Sequence, residues 1–191
     1  MILILLIAMD KYYTKPEILD KIFDEIIEKG NENCIYIDFS CGNNYLGNKI
    51  AALGLPVVSY DIDPPAILTK PEQPIIKQDF LTVKPHNIGN CILFLNLPFG
   101  KNGTMARKFV EKSLSFFPLK MVLILPKINW TINTGYSHET RDLEENSFVL
   151  PNGKDFCWPT QLHIFKKLDD KINLCKLKVS KQHNTSYEKS S

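Results

Sequence analysis

Two runs, Cys91-Ile-Leu-Phe-Leu95 and Met121-Val-Leu-Ile-Leu125, are apolar at every position. A strand with one wet face alternates, so a strand that does not alternate is covered on both faces. Two such strands call for a parallel-rich sheet with helices above and below it, an α/β architecture. The helical segments are there. Pro16 stands near a helix start, Ile18, Leu19, Ile22, Phe23, Ile26 and Ile27 recur at helical spacing, and Gly30-Asn31 ends the run. A second helix is expected around Leu46 to Leu53, stopped by Gly54, and a third roughly over Thr104 to Phe116. Shorter strands are expected at Cys34 to Asp38, Pro56 to Tyr60 and Ile75-Ile76. Val149 and Gln161 to Phe165, either side of the Pro151-Asn-Gly153 turn, read as a closing antiparallel hairpin. The polar stretch from Asn129 to Asn146 reads as a mobile lid.

At 191 residues the chain fits one domain with a real core. The expected division is an apolar extension over 1–8, a functional domain over 9–170 starting at Met9, and a Lys/Ser/Asn-rich tail over 171–191. The aliphatic stretch Met1 to Ala8 falls short of the ~20 residues that span a bilayer. It also lacks the basic flank of a signal peptide, so no membrane role is expected. It reads as a short buried strand, a helix extension, or a product of start-site choice. Five cysteines, with no CxxC pair, read as reduced thiols of an intracellular protein, without structural zinc. His86, His138, His163 and His183 have no carboxylate at ligand spacing and read as structural or surface residues. A net charge of +2 neither demands nor excludes a nucleic-acid partner.

Ligands of open α/β sheets sit outside the carboxyl ends of the strands. Asp38, Asp61, Asp79 and Asn96 each fall at or just after such an end. Asp38-Phe-Ser40-Cys-Gly42-Asn-Asn44 runs from a strand through a small-residue turn into a helix, the layout of a nucleoside or phosphate cradle. Without a GxGxxG, Gly42 serves equally to allow a tight turn. Asp61, with Ile62 after it, follows about twenty residues on and is placed to bond a ribose diol. It would serve as readily as a helix cap. Asp79-Phe80 pairs an acceptor for an exocyclic amine with a ring to pack on a base, or is loop chemistry and core.

Asn96-Leu97-Pro98-Phe99 is the sharpest feature. A strand that breaks into this sequence exposes two acceptors, the Asn96 amide oxygen and the Leu97 or Pro98 carbonyl. An exocyclic base amine carries two N–H donors and is a poor nucleophile, because its lone pair is delocalised into the ring. Accepting both hydrogens favours the pyramidal nitrogen that attacks a methyl group, which is preorganisation toward the transition state. Phe99 would stack on the extruded base, a contact worth ~1–3 kcal/mol. Otherwise the tetrapeptide is a proline turn with Phe99 in the core.

Taken together, these motifs in this order resemble the N6-adenine methyltransferases of gamma-type motif order found in phage, viral and bacterial genomes. Tyr12 to Ile18 (YYTKPEI) resembles their opening motif, and the resemblance implies that Tyr13, Thr14 and Pro16 help hold the cofactor. IDFSCGNN resembles the cofactor loop, YDIDP and KQDFL the second and third motifs, and NLPFGKN with its helix and following strand the NPPFGKN stretch. SFVLPNGKDFCWPTQLHIFKK resembles the closing strands. The resemblance runs from about Met9 to Lys167. It implies a Rossmann-like class I methyltransferase fold: a mostly parallel seven-stranded sheet, a C-terminal antiparallel hairpin, and helices on both faces. The implied cofactor is S-adenosylmethionine, held by Tyr13, Thr14, Pro16, Asp38, Ser40, Gly42, Asn44, Asp61, Ile62, Asp79 and Phe80. Asn96, Leu97, Pro98 and Phe99 are the implied catalytic group.

Two departures stand out. Phe39 and Cys41 occupy the loop where the family has proline and small residues, and Leu97 replaces the first proline of NPPF. Leucine also occurs there in ribosomal-RNA adenine dimethyltransferases. The expected substrate is DNA or RNA. There is no room for a separate target-recognition domain, so sequence specificity is expected from loops, from a partner subunit, or not at all. Lys101, Arg107, Lys108 and Lys127 flank the motif and would meet phosphates or simply face solvent. Trp130 and Trp158 belong to substrate-side loops or to the core. Two other readings stay open: methylation of a protein glutamine amide, and a degenerate fold that binds nucleic acid or a partner without turnover.

Overall fold

The computed structural model describes residues 11–27, 33–65, 73–85, 90–98, 100, 103–127 and 135–168. Extension 1–8, the 171–191 tail, Phe99, Lys101, Trp130, His86 and His183 lie outside the described residues. In chain order the elements are β1 (Tyr13–Thr14), α1 (Pro16–Ile26), β2 (Ile35–Asp38), α2 (Tyr45–Ala52), β3 (Val57–Asp61) and β4 (Ile75–Lys77). A 3-10 turn (Phe80–Thr82), β5 (Cys91–Asn96), α3 (Thr104–Leu114), β6 (Lys120–Pro126), β7 (Tyr136–Asp142), β8 (Phe148–Val149), β9 (Asp155–Phe156) and β10 (Thr160–Lys167) complete them.

Seven strands form the main sheet in the order β4-β3-β2-β5-β6-β10-β7. The first five run parallel, and β10 runs against both of its neighbours. The non-alternating strands sit at the centre, as double-sided burial requires. Side chains of one strand point to alternate faces. Accordingly, Leu93, Leu95, Met121, Leu123 and Leu125 pack with Ala106, Phe109 and Val110 of α3. Ile92, Phe94, Val122 and Ile124 pack on the other face with Leu19, Ile22 and Ile26 of α1 and Leu46 and Ile50 of α2. Each such fully buried Leu or Ile contributes ~1.5–3 kcal/mol of transfer free energy.

Helix α1 opens with Pro16 in its first turn, where the missing N–H costs nothing, and Ile18, Leu19, Ile22 and Ile26 are buried on one side. Helix α2 lies so close to β3 that a Cβ on Gly47 would fall 2.1 Å from Asn44 Oδ1 and 2.6 Å from Ser59 Oγ. Both of those residues are buried.

The C-terminal part departs from the sequence reading in two ways. Residues Tyr136–Asp142, expected within a lid, form edge strand β7, paired with β10 over its whole length. The hairpin of the main sheet is therefore β7-β10. Val149 instead joins a small antiparallel sheet, β1-β8-β9. Strand β7 is exposed along nearly all of its length, so its polar sequence shows neither an apolar run nor alternation. Charged edge strands are a common defence against edge-to-edge pairing. Ion pairs Arg141–Glu25 and Lys127–Asp142 hold it in place.

On this edge His138 Nε2 and His163 Nδ1 share a hydrogen bond of 2.9 Å, and the His138 ring lies flat on Phe165 at 4.2 Å. Burial, and then the neighbouring His138, push His163 down from 6.5 to about 4.

Two outcomes are expected. Gly47→Ala overpacks the α2–β3 contact and destabilises the protein by ~1–3 kcal/mol; an unchanged urea midpoint would show that the helix can move away. Because the folded protein holds His163 neutral while the unfolded chain binds a proton near 6.5, stability is fully present above that pH. It is lost as the pH falls toward about 4. His163→Leu should flatten that limb of a plot of melting temperature against pH.

Candidate active site

Parallel order β4-β3-β2-β5 brings Asp79, Asp61, Asp38 and Asn96 side by side along one sheet edge. Asp38 is buried, and its Oδ1 accepts the Ser40 N–H at 2.9 Å. Burial pushes its carboxyl well above the usual carboxylate range, against the Ser40 hydrogen bond, with nearby Asp61 adding to the rise. The chain then turns back through Gly42, whose φ is 53° and whose Cβ, if it had one, would meet the Tyr13 ring at 3.0 Å. Only glycine suits both that backbone and that contact.

Gly42 N–H donates to Asp61 Oδ2 at 2.8 Å, and Asp63 N–H to Asp61 Oδ1 at 2.8 Å. The first carboxyl end thus organises the second. Ile62, next to Asp61, is 63% exposed. Lys11 Nζ bridges from the N-terminal side to Asp63 Oδ2 at 2.6 Å.

At the end of β5, the Asn96 backbone carbonyl accepts from Ser40 Oγ at 2.9 Å. Its side-chain Nδ2 donates to Thr14 Oγ1 at 2.9 Å, while Oδ1 is buried with no hydrogen-bond partner. The Leu97 carbonyl accepts from Tyr12 Oη at 3.0 Å, and the Leu97 side chain is fully buried in the core. A buried acceptor without a partner costs ~1–3 kcal/mol.

A cavity at this edge has a volume of about 570 Å³, within the ~300–1,000 Å³ of small-molecule sites. Tyr13, Thr14, Asp38, Ser40, Gly42, Asp61, Ile62, Asp79, Phe80, Asn96, Leu97 and Pro98 all line it. Three of the expected contacts are different in kind. Asn44 does not line the cavity: fully buried, it occupies the left-handed N-cap position of α2 and donates from Nδ2 to the Gln73 carbonyl. Pro16 also lies off the wall, in the first turn of α1. Phe80 reaches the wall only as part of the core, 2% exposed, its ring 4.1 Å from Phe39 and 5.1 Å from Phe109. It offers no open face for stacking. Asp79 caps the 3-10 turn by accepting the Leu81 N–H at 2.9 Å. Arg107 and Lys108 are exposed on α3, off the cavity wall, and Lys127 pairs with Asp142.

The sequence reading missed a second layer. Tyr12 bonds the Leu97 carbonyl, its ring stacks on Phe156 at 5.4 Å, and Phe156 stacks on Trp158 at 6.1 Å. Trp158 is 46% exposed, so the run of rings leads from the Asn96-Leu97 turn outward to the surface. The only hint of it was the density of aromatics in YYTK and KDFCWP.

The fold is the Rossmann-like methyltransferase fold. A Pyrococcus horikoshii protein described as an RNA methyltransferase superposes with a TM-score of 0.56 at 17% identity, covering 80% of this chain and 82% of that one. The 1,6-didemethyltoxoflavin N1-methyltransferase of Burkholderia thailandensis, solved with S-adenosylhomocysteine bound, gives 0.55 at 6% identity, covering 80% and 79%. At such identities the likeness is one of fold. In sequence, Protein ENHANCED DOWNY MILDEW 2 of Arabidopsis thaliana is 28% identical over 159 residues, 75% of this chain. The chain spans only 12% of that protein's length. The family described as the EDM2 methyltransferase-like domain matches residues 30–179, more than three quarters of the sequence. The chain belongs to that family of methyltransferase-like domains.

Proposed function

We propose that this chain binds S-adenosylmethionine and transfers its methyl group to an exocyclic amine of a nucleic-acid base, N6 of adenine in DNA or RNA. The observation that carries the reading is Asn96, a residue of the cavity wall whose side-chain Oδ1 is buried without a hydrogen-bond partner, followed by Leu97 on the same wall. Two acceptors side by side match the two N–H donors of one amine.

The residues present fit the cofactor. Gly42 leaves room where a side chain would strike Tyr13, and Ile62 holds an apolar side chain in the open beside Asp61. Each Asp61 oxygen accepts one backbone N–H and keeps a lone pair for a ribose hydroxyl. When bound, the cofactor supplies an electrophilic methyl group. Asn96 Oδ1 and a neighbouring main-chain carbonyl then hold the amine hydrogens and favour its pyramidal form, an arrangement fixed before substrate arrives. Pro98 lines the same cavity, and Phe99 is assigned to the base. The partner that would give sequence preference is another subunit or another part of a longer chain. A protein glutamine amide offers the same pair of donors, and turnover that does not depend on nucleic acid would favour it.

Tritiated methyl transfer to a panel of DNA and RNA tests the reading. Asn96→Ala should lower turnover by ~10²–10³-fold and leave cofactor affinity, measured by calorimetry, unchanged. A mutant rate above about a tenth of wild type would remove Asn96 from the chemistry. Asp61→Ala should weaken cofactor binding by about 10-fold or more, as loss of a hydrogen bond to a charged group does. Unaltered affinity would refute the ribose assignment. A wild-type protein that neither binds the cofactor nor transfers methyl would favour the non-catalytic reading.

A further inference from the structure

We propose that Thr14 and Tyr12 are positioning residues that hold the Asn96 carboxamide and the Leu97 carbonyl, at the end of β5, where the methyl acceptor meets them. The inference rests on the function proposed above and assigns a role within it. Thr14 and Tyr12 stand two residues apart, on one side of an extended segment. Thr14 Oγ1 takes the Asn96 amide nitrogen at 2.9 Å and Tyr12 Oη takes the Leu97 carbonyl at 3.0 Å. Consecutive residues of the turn are thus clasped by alternate residues of the segment.

A carboxamide has a donor end and an acceptor end, and its terminal torsion is broad and roughly two-fold. An unrestrained asparagine would present either end. The donor end would suit a carbonyl, a ring nitrogen or an oxyanion, while the acceptor end suits an amine. Thr14 Oγ1 holds Nδ2, and Oδ1 is buried without a partner; since a hydroxyl accepts from Nδ2 or donates to Oδ1, the bond fixes the side chain in place without choosing its end. Thr14 is itself buried, so water does not compete for that bond. The clasp is held from behind. Tyr13 and Thr14 pair with Val149 and Phe148, the Lys15 N–H bonds Ser147 O at 2.9 Å, and Lys15 Nζ pairs with Asp155 at 2.7 Å. Tyr12 keeps the Leu97 carbonyl in place while leaving it a second lone pair for the substrate.

The test uses the full chain as wild type, Thr14→Val, Thr14→Ser and Tyr12→Phe. The first readout is the Asn96 side-chain amide in a proton–nitrogen correlation spectrum without cofactor, identified by its loss in Asn96→Ala. Thr14→Val should shift it and Thr14→Ser should leave it near the wild-type position. The second readout is turnover against affinity for S-adenosylhomocysteine. Thr14→Val and Tyr12→Phe should each lower kcat by about 10- to 100-fold, the cost of misplacing a reacting group, with any loss of affinity much smaller than the loss of turnover and Thr14→Ser close to wild type. An unshifted amide in Thr14→Val, or a loss of affinity as large as the loss of turnover, overturns the proposal and makes Thr14 a cofactor contact. If wild type transfers no methyl, the proposed function fails, and the amide shift still decides whether Thr14 holds Asn96.

Discussion

Burial of β5 and β6 on both faces is the constraint from which the site follows. Neither strand has a face that can carry a polar side chain, because both faces are filled by helices and by the two halves of the core. Polar chemistry can then appear only where a strand leaves the sheet. Strand β5 is buried from Cys91 to Leu95 and becomes partly accessible at Asn96. Its neighbour β2 ends in the buried Asp38, and β3 in the partly accessible Asp61. Because these strands are parallel, their ends share one side of the sheet, and residues separated by tens of positions in sequence meet there. The ends are also bonded to one another. Ser40 Oγ reaches the Asn96 carbonyl, and Gly42 N–H reaches the Asp61 carboxylate.

Closure of the site comes from the opposite end of the chain's logic, a two-residue strand that belongs to a different sheet. Strand β1 pairs with β8, which lies far along the sequence, and this pairing is what delivers Tyr12 and Thr14 to the turn after β5. Contacts of such long sequence separation carry a loop-closure cost that local contacts do not. The small sheet offsets that cost by packing Phe148, fully buried, against the Tyr12 ring at 5.1 Å and by the Lys15–Asp155 ion pair. A segment held this way can be rigid in the folded state while contributing little to the central core.

How much of this was legible in the sequence depends on whether the signal is local. Strands β5 and β6 were legible because a short apolar run without alternation, bounded by turn residues, fits little besides a strand covered on both faces. The same holds for α1, with its proline start and its regular Ile/Leu spacing. The edge strand β7 was not legible, because nearly all of its side chains are exposed on both faces of the sheet, and nothing in Tyr-Ser-His-Glu-Thr-Arg-Asp differs from a polar loop. Within the site, the acid and amide ends of the strands could be read because topology alone places them. The individual roles of Asn44 and Phe80 could not. Asn44 looks like one more polar residue of a loop, yet it is fully buried at the N-terminus of α2 and ties that helix to the Gln73 carbonyl. Phe80 follows an acid as an adenine platform would, yet three other aromatic rings enclose it. Tyr12 was hidden for a further reason: its hydroxyl bonds a backbone carbonyl 85 residues away, and a carbonyl has no signature in sequence.

The departures from the related motifs have a common physical cause, which bears on whether the site is intact. Phe39 stands where the loop of similar enzymes has a proline, and here it is buried between Tyr60, Phe80 and Phe116, with ring centroids 5.1, 4.1 and 5.2 Å away. Cys41 is buried as well, and burial pushes its thiol far above the ordinary value, so it acts as a small apolar filler and not as a reactive group. The Leu97 side chain, where a proline is usual, is directed into the same core. Phe39 and Leu97 therefore add to the apolar core, and all three residues also border the cavity beside Ser40, Gly42, Asp61 and Asn96. An amide carbonyl is equally an acceptor whether leucine or proline bears it, since proline lacks only the donor. What leucine adds at position 97 is a buried anchor, and what proline would have supplied in stiffness is supplied here by the Tyr12 hydroxyl on the Leu97 carbonyl.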